Sequence, residues 1–522
     1  MTPFRLVCLA VAAVVLYGGL ATIHLQEQGL NGDELHQAYG AFAYVGQPTQ
    51  INAHCHVFGL PLLNMPYSGA IKTAMYGAYL WAFDAQFEVV SWRLLGILLA
   101  GLALGGFMLL AGRPLGTAGI LTVLALWLSD TTLLVGTRHD WGPMALALLL
   151  RALLIALWLR GLRPGPLAAR SSFGLGAITG FALFEKVSNV ALLMPLLLFF
   201  AADRRRRSRP HLVAGIGGLA LGSLPLTVVN AHSWLIHGEP VSLTKADAQA
   251  ARTDLWAFIA DYLSLGGGSQ ARESVFGATA WAGADDIEGI ATLLLLGLVL
   301  LAASCLRPDP KLRGAAVLAT AYTAIAGVLF ALPAETKLHH WAIGTPFQYV
   351  AAGLALTACR QSARRRGRAI GGAILALLVL LCGARAPGLL DYWEAVDQGR
   401  HSHMYSPDIT ALATFAAQQP STTVFLASDW GATAAIYCLA QGRPQHVVDF
   451  YWWYAEPRHF DIVLDGKATF YLYRLAQPAA ILPQVTQQME RDALALSGWR
   501  RVAPEPDLQP LADLSVQKFI RN

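Results

Sequence analysis

Hydrophobic positions along this chain come in long unbroken runs rather than in strand-like alternation. The first, 4–23, is about as long as a helix needs to cross a bilayer. Further runs follow at roughly 89–111, 115–135, 143–160, 171–184, 187–202, 211–231, 287–306, 314–333, 341–358 and 369–386, which predicts about eleven spans. Two of them, 171–184 and 187–202, are short, and the pair around Glu185 and Lys186 also reads as one long buried segment. The first run exceeds a signal-peptide core and ends in a weak cleavage sequence, Ala21-Thr22-Ile23, so it predicts an uncleaved anchor. The predicted fold is a polytopic α-helical membrane protein.

Two regions break the pattern. In the loop 24–88, apolar residues recur at helical spacing over 33–45 and 68–83, predicting two amphipathic helices along the membrane interface. Beyond 386, short β-rich runs at 422–427, 446–450, 460–464 and 469–473 surround a helical stretch at 432–439 and the turn Asp429-Trp430-Gly431. This predicts a small α/β domain over 387–522 beside a transmembrane domain over 1–386. No GxGxxG or Walker pattern accompanies it, so no nucleotide is assigned.

Composition agrees with the runs: 55% of the 522 residues are hydrophobic and 14% are charged, against roughly 25% charged in soluble domains. The net charge of +5 matters less than its placement. With a cytoplasmic N-terminus and eleven spans, every strong basic cluster falls on one side. These are Arg113; Arg160, Arg163 and Arg170; Arg204 to Arg207 with Arg209; Arg307, Lys311 and Arg313; and Arg360, Arg364, Arg365, Arg366 and Arg368. Merging the short pair would throw the later clusters to the other side, which the positive-inside rule disfavours. The basic runs are therefore read as topological signals and not as a nucleic-acid surface. The expected location is a bacterial inner or plasma membrane, with the tail outside. The loops 24–88, 130–142, 232–286 and 334–340 share that outer face and are rich in Trp, Tyr, His and acids, so function is expected there. Of six cysteines, Cys55 and Cys438 face the oxidising side, either as a pair or as two free thiols.

Candidate chemistry gathers on the same face. Asp33 and Glu34 follow the first span, where a carboxylate would take a proton from an attacking hydroxyl or amine. Equally, Asp33 would cap a helix with Glu34 in its first turn. Lys72 either snorkels to headgroups or holds a phosphate as a point charge. Arg138, His139 and Asp140 make either a second wall of the cavity or a salt-bridged loop anchor. Glu185 and Lys186 form an ion pair, or Lys186 serves an anion site. Lys337, His339 and His340 beside Trp341 would grip a phosphate or belong to an interfacial belt. His36 and the run His54-Cys55-His56 raise a divalent metal as an alternative that ligand spacing does not support, and no cofactor is assigned.

Several of these stretches together resemble a known family. They are the acidic pair after the first span, Pro66-Tyr67-Ser68-Gly69-Ala70-Ile71-Lys72, Val90-Ser91-Trp92-Arg93-Leu94-Leu95, Gly180-Phe181-Ala182-Leu183-Phe184-Glu185-Lys186, and Asp429-Trp430-Gly431. In order and topology the chain resembles the GT-C superfamily of membrane glycosyltransferases, in its aminoarabinose transferase and protein O-mannosyltransferase-like branch. The resemblance implies transfer of a sugar from a polyprenyl-phosphate donor, among membrane lipids, to an extracytoplasmic glycolipid, polysaccharide or protein acceptor by one inverting displacement. It implies Asp33 or Glu34 as base, with Asp33 preferred, Asp140 as a second acid, and Lys72 on the lipid phosphate together with Lys337 or a neighbouring His. Arg138, His139, Lys186, His339 and His340 would contact substrate. Around Lys72 the chain reads Ala-Ile-Lys-Thr where Gly-Lys-Pro-Pro is usual in the family. The rival class is a transporter or flippase of lipid-linked sugars. Purely apolar span centres and the absence of a repeat weigh against it.

Overall fold

The computed structural model describes residues 2–26, 29–47, 54–57, 59–162, 168–243, 254–277, 283–306, 309–332, 337–443, 446–452, 454–476, 483–509 and 511–522. The chain opens with α1 (Pro3–Thr22), followed by α2 (Gly32–Leu35), a 3-10 helix Tyr39–Val45, and a small antiparallel sheet of β1 (His54–Val57), β2 (Leu60–Met65) and β3 (Ser68–Gly69). Next come α3 (Ile71–Phe83), α4 (Val89–Leu128), α5 (Thr131–His139), α6 (Met144–Gly161), α7 (Ala169–Glu185), a 3-10 turn Val187–Leu192 and α8 (Leu193–Ala202). The remaining bundle is α9 (Arg209–Gly222), α10 (Leu224–His237), α11 (Leu255–Ser264), α12 (Ser269–Phe276), α13 (Gly283–Cys305), α14 (Pro310–Ala331), α15 (Leu338–Trp341), α16 (Phe347–Gln361) and α17 (Arg365–Asp397).

Among the described residues, seven helices are long and apolar enough to cross a membrane, or eight if the bent pair α9 and α10, which meet at 57°, is one span. The protein is thus an integral multi-pass membrane protein. The count of eleven is not confirmed. The apolar runs do fall on helices, but α7 and the Val187–Ala202 stretch are shorter than a full span. The run 115–135 is also interrupted between α4 and α5. Inside α4, Pro114 and Gly116 (φ 72°, ψ 174°) break the helix, a conformation open to glycine and costly to other residues. One charged cluster that enters the bundle is paired, as low dielectric favours. Arg385 on α17 donates to Glu288 on α13 (2.7 Å) and to the Tyr349 hydroxyl on α16 (2.9 Å), and Tyr349 in turn bonds Asp130 at the start of α5 (2.5 Å).

The two ends of the bundle differ. At one end Arg205 reaches the Gly161 carbonyl (2.6 Å) and Lys311 bonds Gln361 (2.9 Å). At the other lie the first loop and the C-terminal domain, which share one hydrophobic core. That domain contains α18 (Pro407–Ala417), β4 (Thr423–Ala427), α19 (Thr433–Leu439), β5 (Val447–Val448), α20 (Arg458–Val463), β6 (Thr469–Leu475), α21 (Pro483–Leu494), β7 (Trp499–Val502) and β8 (Leu514–Arg521). Its sheet has the order β5-β4-β6-β8-β7, with β4 parallel to β5 and β6 and the remaining pairs antiparallel. Stretch 460–464, expected as a strand, lies instead at the end of α20. Phe460 and Leu464 are buried while Asp461 is exposed, the i,i+4 spacing of a helix face.

The loop 24–88 corrects two expectations. Stretch 33–45 is not one amphipathic interfacial helix, because the Gln37 carbonyl accepts from the Thr73 hydroxyl (2.5 Å) and its amide donates to the Asp140 carbonyl (3.0 Å). The Gln37 carbonyl is thus taken by a side chain instead of the helical ladder, its side-chain amide fixes the stretch to Asp140, and Leu35, Tyr39 and Phe42 are buried against the C-terminal domain rather than against lipid. Nor is Asp33 the helix cap. Asn31 caps α2, its side-chain oxygen accepting the Asp33 N–H at 2.6 Å. On α3, by contrast, Trp81 and Phe83 are 72% and 74% exposed, an apolar face suited to lipid. Cys438 is buried and free; the Cys55 side chain lies outside the described residues, as do Arg163, Arg307 and the start of the 334–340 loop.

One buried ion pair ties this loop to the bundle. Glu34 and Arg93, in the first turns of α4, meet through Nε–Oε1 (2.6 Å) and Nη2–Oε2 (2.9 Å), and both side chains are fully buried. Arg93 also donates to the carbonyls of Leu25 (2.6 Å) and Gly29 (3.1 Å), so one guanidinium gathers the end of the first span, the loop and α4. Burial pushes the Glu34 carboxyl up, but Arg93 and His139 outweigh it and hold it at about 2, against an ordinary 4.5.

Removing either partner leaves a buried charge uncompensated, so Glu34→Gln or Arg93→Met is expected to destabilise by about 3–5 kcal/mol. The double variant should lose less than the sum. Because the folded pKa lies below the unfolded one, this stabilisation is complete above about pH 4.5 and fades toward pH 2. Thermal unfolding of the solubilised protein across that range should therefore show the gap between wild type and Glu34→Gln closing as pH falls.

Candidate functional site

The first loop, the α4–α6 segment, the α7–α8 hairpin and the start of α15 converge at one end of the bundle. Asp33 projects from α2 immediately before Glu34, yet the two carboxylates stand in opposite surroundings. Glu34 has both oxygens on Arg93, and the Trp92 indole N–H donates to its carbonyl (3.2 Å). Asp33 is half-buried, and its carboxylate makes no hydrogen bond or ion pair among the described residues. His36, one turn on, is buried beside it; burial pulls its imidazole down and Asp33 pushes it back up.

Lys72 and Asp140 are a closed pair. The Lys72 ammonium lies 2.7 Å from Asp140 Oδ2, both side chains are 1% exposed, and the ammonium also sits 3.6 Å over the Trp92 ring. The second Asp140 oxygen accepts the Ala145 N–H (2.7 Å) at the start of α6. Lys72 is thus engaged by protein groups on two sides. Arg138 donates to the carbonyls of Ala21 (3.4 Å) and His24 (2.6 Å), anchoring the end of α1. His139 lies 3.6 Å from Glu34 Oε2 and stacks edge-on against Tyr405. Burial pulls His139 down to about 4 despite Glu34, so at neutral pH its ring is uncharged.

Lys186 differs from Lys72. The backbone bridge between Ser68 and Lys186, with the Val187 N–H on the Tyr67 carbonyl (3.0 Å), docks the hairpin against β3. The Lys186 ammonium donates to the Gly142 carbonyl (3.1 Å) and has no carboxylate within ion-pair distance among the described residues. A methyl group at Gly142 would fall 2.6 Å from this ammonium and 3.5 Å from His339 Nε2, so ammonium and imidazole meet over that glycine. Burial pulls Lys186 down to about 7, against the pull upward of Asp33, then Glu185 and Asp140. Arg151 on α6, buried in the same neighbourhood, donates Nε to the Thr345 carbonyl (2.9 Å) and leaves Nη2 without a hydrogen bond among the described residues. His339 and His340 are half-buried with ring centroids 4.1 Å apart, whereas Lys337 is exposed and its N–H bonds His340 Nδ1 (3.0 Å).

Asp33, Lys186, His339 and Arg151 thus form one polar cluster, and Glu34, Arg138, His139, Lys72 and Asp140 form the framework around it. Arg151 escaped the sequence reading inside an apolar run, although a lone Arg in a span is itself a signal. Arg93 and Trp92 entered only as part of a motif. Among the described residues no three His, Cys, Asp or Glu side chains converge as a metal site.

No family model and no curated protein matches the sequence. Among solved structures, ArnT from Cupriavidus metallidurans bound to undecaprenyl phosphate aligns with a TM-score of 0.59 at 13% identity, over 98% of this chain and 97% of that one. The apo state of the same protein aligns over the same shares with a TM-score of 0.59 at 11% identity. At such identities the likeness speaks to fold, and it spans both the helical bundle and the terminal sheet. This chain shares its overall fold with ArnT.

Proposed function

We propose that this protein transfers a glycosyl unit from a polyprenyl-phosphate-linked donor to an extracytoplasmic acceptor, with residues 387–522 as its outer domain. One observation carries the reading: Asp33, a carboxylate with no hydrogen-bond or ion-pair partner among the described residues, stands within electrostatic reach of Lys186, a buried ammonium with no carboxylate at ion-pair distance among them. An acid and a cation left unneutralised beside one another at the end of a membrane bundle suit a reaction with a nucleophile at one end and an anionic leaving group at the other. The undecaprenyl phosphate bound by the similarly folded ArnT supports a lipid phosphate as that leaving group.

In this scheme the lipid tail stays in the bilayer and its phosphate meets Lys186, His339 and the open Nη2 of Arg151. Asp33 takes the proton from the acceptor hydroxyl or amine as its heteroatom bonds to the anomeric carbon. The bond from that carbon to the phosphate oxygen breaks, and the cations stabilise the charge gathering on the departing phosphate. A single displacement inverts the anomeric centre. Glu34 belongs to the framework in this scheme, since both its oxygens are held by Arg93. Lys72 is a framework cation whose charge Asp140 already balances.

Asp33→Asn is expected to lower transfer of a radiolabelled polyprenyl-phosphate sugar by about 10²–10⁴-fold while leaving donor binding intact; undiminished transfer would sink the assignment. Lys186→Met should weaken binding of a polyprenyl phosphate. In the wild type that binding should itself weaken as pH rises through about 7, where the ammonium loses its proton, and should follow a flatter profile in the variant. Titrations between pH 6 and 9 on reconstituted protein read both effects.

A further inference from the structure

The C-terminal sheet has its own place where ligands collect. β4 has β5 on one side and β6 on the other, both parallel to it. The chain leaves β4 toward β5 and returns to the opposite side at β6. In such sheets the crevice beyond the carboxyl ends of the strands, where the connections diverge, is the usual binding position. Here that position is the segment Ser428 to Gly431, and it meets the first loop. A methyl group at Gly32 would fall 2.9 Å from Trp430 Cζ2 and 3.1 Å from the Gly431 carbonyl. The residue just before Asp33 therefore rests on the Trp430 indole, and only glycine allows that approach.

The segment is held firmly. The Ser428 N–H and hydroxyl both donate to the Tyr473 carbonyl (2.9 and 3.2 Å), and the Ser428 carbonyl accepts from Thr486 (2.6 Å). Asp429 Oδ1 accepts the Trp430 N–H (2.9 Å). Gly431, at φ 134°, turns the chain into α19. Although the backbone is fixed and its neighbours are buried, the indole itself stays half-buried, so part of its surface is not consumed by the core. Lys186 lies within electrostatic reach of Asp33 on the bundle side, and Trp430 meets the residue before Asp33 from the C-terminal domain.

We propose that Trp430 is an acceptor-binding residue, its indole stacking on the ring of a carbohydrate acceptor and so aiming a hydroxyl at Asp33. This rests on the reading of Asp33 as the base. A pyranose presents one face of weakly positive C–H groups, and the electron-rich face of an indole is complementary to it. The donor, anchored through its lipid, occupies the bundle side. An acceptor arriving from the aqueous side meets Trp430.

The test uses the full-length protein in lipid nanodiscs with methyl pyranosides as probes, followed by saturation-transfer NMR. Wild type and Trp430→Phe should bind a subset of them. Trp430→Leu keeps apolar contact with Gly32 and should unfold at the wild-type temperature, yet bind about tenfold more weakly. A second measurement needs no variant: transfer in the wild type should be strongest to the C–H protons of one ring face. Equal binding by Trp430→Leu, uniform transfer over the ring, or no pyranoside bound by the wild type would overturn the proposal. Asp33→Asn should bind the probes as the wild type does. Its catalytic defect is measured separately, so failure of the base assignment and failure of the Trp430 assignment give different results.

Discussion

The site depends on the buried pair of Glu34 and Arg93. A single guanidinium holds the Glu34 carboxylate through two bonds and takes carbonyls from Leu25 and Gly29, fixing the exit of the first span against the start of α4. Trp92, the residue before Arg93, donates to the Glu34 backbone and lies under the Lys72 ammonium. The second pair, Lys72 with Asp140, is therefore built on the first. Such pairs contribute little net stability against an apolar alternative, but once built they are costly to break. Their effect is to specify where the first loop sits.

The same pairing rule separates framework from chemistry. Adjacent residues in a short helical turn point in different directions, so Glu34 turns inward to Arg93 and Asp33 does not. Among the described residues, Lys72 is neutralised by Asp140, whereas Lys186 has a carbonyl, that of Gly142, as its hydrogen-bond partner. A buried ammonium without a carboxylate loses its proton more readily, and an arriving phosphate would restore it. Asp33 and Lys186 thus stand beside charges already matched, Glu34 by Arg93 and Lys72 by Asp140.

Much of the architecture was legible in the sequence because it follows from the bilayer. Apolar runs of sufficient length have to be helices, and the change to short β-rich runs after 386 marks a different solvent. Strands β4 and β6 and helix α19 lie where pattern put them. What failed was local and set by tertiary contacts. In stretch 33–45, Gln37 is tied to Thr73 and Asp140 while Leu35, Tyr39 and Phe42 pack into the core of the C-terminal domain, and 460–464 has the spacing of a helix face once Phe460 and Leu464 are seen buried together. The count of eleven spans is not confirmed where helices are short or bent: the division between runs 89–111 and 115–135 does fall beside the break at Gly116, but hydropathy does not register the 57° angle between α9 and α10. In the site, residue types were legible and partners were not. Nothing in the stretch around Asp33 and Glu34 reveals that Arg93 takes one acid and leaves the other, or that Trp430, some 400 residues away, closes over Gly32.

The division between engaged and open charges has one direct structural test, a cryo-electron microscopy map of the protein with a polyprenyl phosphate bound in nanodiscs. Phosphate density is expected within hydrogen-bond reach of the Lys186 ammonium, beside His339 and Arg151, with the Lys72–Asp140 and Arg93–Glu34 pairs unbroken. Phosphate density on Lys72, with Asp140 displaced, would contradict it.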